Sequence, residues 1–290
     1  MNRLRLVFLV TLAMLAFAGN SLLCRMALKQ TTIDPASFTT VRLLSGACML
    51  WLVVGVKGSR RSAADAVGAV GGNWLSAGAL FAYAAGFSFA YVNMTAATGA
   101  LLLFGAVQAT MIGYGVFKGE RLRGPQLAGF TLALTGLVAL MLPGLATPSL
   151  TSSLSMLGAG VAWGVYSLRG KRPQGAGPAD PTRVTAGNFI RATPMALGLS
   201  VLMAGSLSMD GAGLGYAVVS GALASGLGYA IWYQALPALK ATHAATVQLS
   251  VPVVAALGGI AFIGETLTLT LVLASVAILG GIALVILEKK

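Results

Sequence analysis

The sequence predicts an all-α, polytopic membrane protein with ten transmembrane helices arranged as two inverted five-helix repeats. Three observations support this fold class: the chain is very apolar, its positive charges sort to one side of a predicted membrane, and its halves share motifs at a constant spacing. The 290 residues are 57% hydrophobic and 9% charged, with a mean hydropathy of +0.86. Soluble domains carry about 25% charged residues. The composition therefore excludes a soluble enzyme.

Ten apolar runs account for most of the chain, and a membrane-spanning helix needs roughly 20 residues. The runs are long and do not alternate with a period of two, so they predict helices rather than strands. They cover approximately residues 4–28, 36–56, 73–92, 96–117, 125–142, 152–169, 184–206, 211–235, 241–263 and 266–287.

The distribution of positive charges along the sequence agrees with ten membrane spans. If the N-terminus is cytoplasmic, fifteen of the 19 Lys and Arg residues fall on the cytoplasmic side and only Arg25 and Lys29 lie near the outer face. Such an asymmetry sets the orientation of membrane proteins. It predicts that both termini are cytoplasmic, and it explains the net charge of +12 without a nucleic-acid partner.

The two halves carry matching motifs. Gly119-Glu120-Arg121-Leu122 follows the fourth predicted span and Gly264-Glu265-Thr266-Leu267 follows the ninth, 145 residues later. Because each half holds an odd number of spans, the second copy must be inverted relative to the first. The predicted units are residues 1–146 and 147–290. Inverted repeats are typical of secondary transporters, whose substrate sites lie near the middle of the membrane.

With these motifs, and with Gln234-Ala235-Leu236 and the run Val251 to Leu257, the whole chain resembles the EamA-type drug/metabolite transporters. Its length and aromatic content most resemble the aromatic amino acid exporters of the YddG type. The resemblance implies a transporter that works by export.

Catalytic templates are missing from the sequence. His243 is the single histidine, the seven acidic residues lie in loops or at span ends, and no phosphate-binding Gly-Lys-Ser/Thr loop occurs. We therefore expect no enzyme activity, no metal and no cofactor. A cation at mid-membrane would need a carboxylate partner, so the missing acids favour a neutral or zwitterionic substrate.

Aromatic and amide side chains inside the spans are the candidate substrate ligands. Tyr83 and Phe87 share one helix face, and polar groups within spans must find partners away from lipid. Ordinary packing and hydrogen bonds between helices are the alternative roles. The predicted substrate-binding residues are Tyr83, Phe87, Gln108, Trp163, Trp232 and Gln248.

Arg42 and Arg191 are the charged residues placed well inside spans. The topology puts Arg42 near Glu265 and Arg191 near Glu120, which predicts two symmetry-related ion pairs that gate the two ends. The alternative is that both arginines donate to helix-end carbonyls or extend to the interface. Pro252 is the candidate hinge of the ninth span.

The function expected from the sequence is a bacterial inner-membrane secondary transporter that exports small amphipathic metabolites, foremost aromatic or other neutral amino acids, by alternating access. Its expected partners are the small-molecule substrate and the lipid bilayer, and it would be a monomer or homodimer. The alternatives are a transporter of another solute, such as a nucleotide sugar, phosphate ester or drug, and a membrane assembly protein without transport activity.

Overall fold

The computed structural model describes residues 2–58, 71–119, 121–141, 148–170, 180–239 and 247–287. Nearly all of these residues are helical, and none of them forms a strand. The predicted all-α class is therefore confirmed. The boundary predicted between residues 146 and 147 lies outside the described residues.

Ten helical segments follow one another in these ranges. We number them α1 (Arg3–Gln30), α2 (Pro35–Gly58), α3 (Trp74–Tyr91), α4 (Ala96–Phe117), α5 (Gly124–Met141), α6 (Leu150–Gly170), α7 (Pro181–Leu202), α8 (Gly211–Ala238), α9 (Ser250–Ile263) and α10 (Leu269–Leu287). Two of them contain π-helical turns: Ser220–Leu227 in the middle of α8 and Gly259–Ile263 at the end of α9.

Side chains of short polar residues determine where several helices begin. Asn73, Thr95 and Asp210 each accept a hydrogen bond from the backbone N–H three residues later, at the starts of α3, α4 and α8. This is the usual N-cap arrangement, which satisfies a donor that the helix leaves free. In α2 and α7 an aspartate precedes a proline at the first helical position, Asp34-Pro35 and Asp180-Pro181.

The helices are apolar enough for a membrane. By length and composition, four helices among the described residues can cross one: α1, α2 (as Pro35–Val56), α4 and α8. Shorter apolar helices occur at Gly124–Ala139, Ser250–Ile263 and Leu269–Val285. Large apolar side chains such as Phe8, Val56 and Leu202 are exposed on the outside, whereas Asn20 and Arg42 are buried. This distribution fits a multi-pass membrane protein.

Packing partners are exchanged between the two halves of the chain. Helices α3 and α4 of the first half both pack on α6, the first helix of the second half. In the same way, α8 and α9 of the second half both pack on α1, the first helix of the first half. Helix α5 packs on α10, α2 on α7, and α4 on α9. The five-plus-five inverted repeat stays a prediction, and this exchange of partners is what such a repeat would produce.

Glycines allow the closest helix contacts. A Cβ atom at Gly160 of α6 would lie 2.6 Å from the carbonyl oxygen of Leu103 in α4. At Gly281 of α10, a Cβ would meet the carbonyl oxygen of Gly129 and lie 2.7 Å from the amide nitrogen of Ala133, both in α5. Small residues are what lets helix backbones approach this closely in membranes.

Candidate functional site

Aromatic rings from several helices meet in the centre of the bundle. Trp163 of α6 lies between Tyr83 of α3 and Tyr229 of α8, with both ring centroids 4.8 Å from its own. Phe17 of α1 contacts Trp163 and Tyr229 edge to face. All four rings are almost completely buried. Rings packed in this way form a rigid apolar surface.

The rings enclose a small cavity. It is lined by residues from α1, α3, α4, α6 and α8, namely Phe17, Asn20, Ser21, Tyr83, Phe87, Leu103, Phe104, Trp163 and Tyr229. The cavity leaves about 10 Å³ for the centre of a water molecule, which is room for one water. A larger molecule would enter this space only if the rings moved apart.

Arg42 of α2 is buried beside this cavity. It is 1% exposed, and its guanidinium carbon lies 5.1 Å from the ring centre of Tyr83 and 4.8 Å from that of Phe87. Such stacking on ring faces stabilises a cation. Its Nε donates to Ser225 Oγ at 3.2 Å and its Nη2 to Tyr83 Oη at 3.0 Å. Its Nη1 is buried without a hydrogen-bond partner.

A chain of hydrogen bonds connects Arg42 with α1 and α8. Tyr83 Oη also accepts from Asn20 Nδ2 at 3.1 Å, and Asn20 Oδ1 accepts from Ser220 Oγ at 2.7 Å. Both Ser220 and Ser225 belong to the π-helical turns of α8. A π-helical turn shifts side chains around the helix axis and is frequent at functional sites; here the turns hold both serines in the network.

The predicted pair between Arg42 and Glu265 is wrong. Glu265 instead pairs with Arg25, whose Nε donates to Glu265 Oε1 at 3.1 Å. The sequence argument required only the same side of the membrane, whereas in the structure α1 packs on α9, and α2 packs on α7 and α8. Arg42 therefore has no acidic partner among the described residues. An arginine at mid-membrane costs roughly 2.5–3.5 kcal/mol on insertion scales.

The Arg25–Glu265 pair joins four parts of the chain at one end of the bundle. Arg25 Nη1 also donates to the carbonyl oxygens of Tyr91 and Val92, each at 2.9 Å, where α3 ends. Glu265 Oε2 accepts from the backbone N–H of Ala96 at 2.8 Å, where α4 begins. Both side chains are nearly buried. These contacts thereby tie the four parts of the chain together.

The second predicted pair, Arg191 with Glu120, stays a prediction because Glu120 lies outside the described residues. Arg191 Nη1 donates to the carbonyl oxygens of Gly71 and Gly187, at 2.8 and 3.0 Å. Counted from the prolines that begin α2 and α7, Pro35 and Pro181, the residue of α7 at the position of Arg42 is Asn188 rather than Arg191.

Comparison with known proteins identifies the family of this chain. Residues 150–287 match the EamA-like transporter family. Over 285 residues the chain is 55% identical to an uncharacterized protein of Pseudomonas aeruginosa, with 98% of this chain and 96% of that protein covered. The chain belongs to the EamA-like transporter family. It is therefore a membrane drug/metabolite transporter, as its repeated Gly-Glu motif predicted.

A solved structure supports the fold of this EamA-like transporter. A protein crystal structure that is 18% identical aligns with a TM-score of 0.65 over 98% of each chain. The likeness therefore extends over all ten helices rather than over the matched second half alone.

The other predicted substrate-binding residues of the EamA-like transporter are buried but do not line the cavity. Trp232 packs on Phe17 with centroids 6.0 Å apart. Gln108 is buried on α4, and its Nε2 has no partner. Gln248 is buried in a helical piece before α9, and the helix is interrupted at Leu249, three residues before Pro252. A proline disturbs the turn that precedes it. The hinge role of Pro252 stays a prediction.

Six of the nine lining residues were not among the predicted substrate ligands, and four of these gave no signal in the sequence: Phe17, Ser21, Leu103 and Phe104. They lie in uniformly apolar runs of the EamA-like transporter, where no charge or spacing distinguishes an inward side chain from a lipid-facing one. Asn20 was the available signal, because an amide within a span must face the interior. It marks the inner face of α1, on which Phe17 and Ser21 are its neighbours.

Proposed function

We propose that this EamA-like transporter is a secondary transporter of the bacterial inner membrane that exports small amphipathic metabolites, with aromatic and other neutral amino acids as the leading class. The observation that carries the proposal is the central cavity, because aromatic rings and hydrogen-bonding groups from five helices surround one buried space. Small-molecule sites combine apolar walls with a few polar groups in this way.

Alternating access would open the cavity to one side at a time. The cavity is closed in the described state, and the Arg25–Glu265 pair ties together the ends of α1 and α3, the start of α4 and the link before α10. With the N-terminus cytoplasmic, this end faces outward. We propose that the pair is the outer gate and that it separates when the substrate leaves.

Transport by purified protein in liposomes tests the proposal. Radiolabelled phenylalanine and tryptophan would be followed with and without a pH gradient, which also separates proton coupling from facilitated transport. The informative variant is Trp163→Ala, because Trp163 lines the cavity. Its matched control is Trp51→Ala, since Trp51 is 65% exposed on the outer surface.

We expect wild-type protein and Trp51→Ala to move a labelled amino acid and Trp163→Ala to lose that movement. Trp163→Phe, which keeps a ring and most of the packing, should retain part of it and shows that the loss does not come from unfolding. Equal rates in Trp163→Ala and Trp51→Ala would contradict the assignment of the cavity.

A further inference from the structure

We infer that Arg42 is the anion-binding residue beside the cavity and that the site therefore prefers a solute with a carboxylate on an apolar body over a cation of the same shape. This inference rests on the proposed function, because it assigns the substrate class of the same cavity. It starts from a buried charge for which the described residues provide no counter-ion.

The described acidic residues are all engaged elsewhere. Asp34, Asp180 and Asp210 accept backbone N–H groups at helix starts. Glu265 is held by Arg25 and by the N–H of Ala96. The positive charge of Arg42 is balanced within the described residues only by the faces of two rings and by hydroxyl oxygens.

Unused hydrogen-bonding groups surround the same cavity. Nη1 of Arg42 is buried without a partner, and so are the hydroxyl groups of Ser21 and Tyr229, which line the cavity. An arginine N–H and two hydroxyl groups can all donate to a carboxylate. Hydrogen bonds to charged groups are the stronger class. These three residues thus offer an anion donors that make no other hydrogen bond in the structure.

The described residues that line the cavity include no acidic group that could pair with a cationic solute. Ring faces and the hydroxyl oxygens of Ser21 and Tyr229 can contact an ammonium group, but all of them are neutral. The amide oxygen of Asn20 already accepts from Ser220. A solute with a carboxylate would neutralise Arg42, whereas a cation would add a second positive charge beside it.

A series of three solutes of similar size isolates this charge effect: 3-phenylpropionate is an anion, phenylalanine a zwitterion and phenethylamine a cation. Each would be added to purified wild-type protein in liposomes, with transport of the labelled compound and quenching of tryptophan fluorescence as readouts. The variants are Arg42→Gln and Arg42→Lys. The matched control is Arg169→Gln, because Arg169 donates to Ser76 and Asn73 away from the cavity.

We expect wild type to prefer 3-phenylpropionate and phenylalanine, which both carry a carboxylate, over phenethylamine by about tenfold or more, the effect of one charge-assisted hydrogen bond. Arg42→Gln should lose this preference, Arg42→Lys should keep part of it, and Arg169→Gln should leave the ratio unchanged. If Arg42→Gln does not fold, the graded loss in Arg42→Lys carries the test.

Two other outcomes overturn the inference, and they differ in what they say of the proposed function. If phenethylamine is moved as well as the two solutes with a carboxylate, or if the Arg42 variants keep the wild-type ratio, the inference is wrong and the transport proposal stands. If wild type binds and moves none of the three solutes, both proposals fail together.

Discussion

Neutralising Glu265 should release one end of the bundle. In Glu265→Gln the ion pair with Arg25 is lost, although the amide oxygen of the new side chain can still accept from Ala96. Removing one partner of a buried pair costs about 3–5 kcal/mol. Arg25 keeps two carbonyl acceptors at 2.9 Å. Since these compensate part of the loss, we expect the closed end to be destabilised by about 2 kcal/mol.

The thiol of Cys24 provides the assay. Cys24 is completely buried in α1 beside Arg25, whereas Cys48 is exposed and would be replaced by serine. If the equilibrium shifts by about 2 kcal/mol towards the state in which this end is open, the population of that state rises about 30-fold. Maleimide labelling of Cys24 in Glu265→Gln should therefore be faster by about that factor.

The control for this experiment is Asp210→Asn. Asp210 caps α8 near the same end by accepting from Gly213, and asparagine is an equally good cap. This variant should label Cys24 at the wild-type rate. The reasoning is refuted if Glu265→Gln labels no faster than wild type, or if Asp210→Asn accelerates labelling to the same extent.

Three further predictions concern packing and pH. Gly281→Ala should lower the melting temperature strongly, because its Cβ would strike Gly129 and Ala133, whereas Gly280→Ala, with open space around its Cβ, should not. Gly221→Ala should lower the melting temperature, because its Cβ would push α8 off the backbone of α2 at Arg42. An unchanged melting temperature would contradict this prediction. Although partial burial acts to raise it, hydrogen bonds from the Ser37 side chain and from backbone N–H groups hold the pKa of Asp34 below its ordinary value. Its stabilising contribution is thus complete above about pH 4 and lost as the pH falls through the lower folded-state pKa, so Asp34→Asn should show a smaller loss of stability in acid than wild type.

The site was predictable where one residue type has few possible roles. Tyr83, Phe87 and Trp163 were selected because aromatic residues deep in a span are candidates for an internal surface, and all three line the cavity. Arg42 was selected because a charge inside a membrane span is costly, and such residues commonly mark functional sites. The partner of Arg42 was not predictable. The sequence indicates on which side of the membrane a residue lies, but it does not indicate which helices are neighbours there.

The alignment of the two halves shows the same limit. Counting from hydropathy boundaries paired Arg42 with Arg191, but the Asp-Pro dipeptides at 34–35 and 180–181 begin both helices and shift the register by three residues. Hydropathy does not show this shift, because the ends of apolar runs are diffuse. A proline at the first helical position marks the start of a helix much more sharply.

Composition and periodicity by themselves determined that this chain is helical and apolar on its outside, because these properties depend on residue type and on local hydrogen bonding within each helix. The repeated motifs added the resemblance to a transporter family. The tertiary structure alone decided that Arg25, and not Arg42, holds Glu265, and that Arg42 is left beside an aromatic cavity with an unused N–H. Such pairings depend on how ten helices pack side by side, and packing is set by shape across the whole bundle rather than by the order of residues in any one helix.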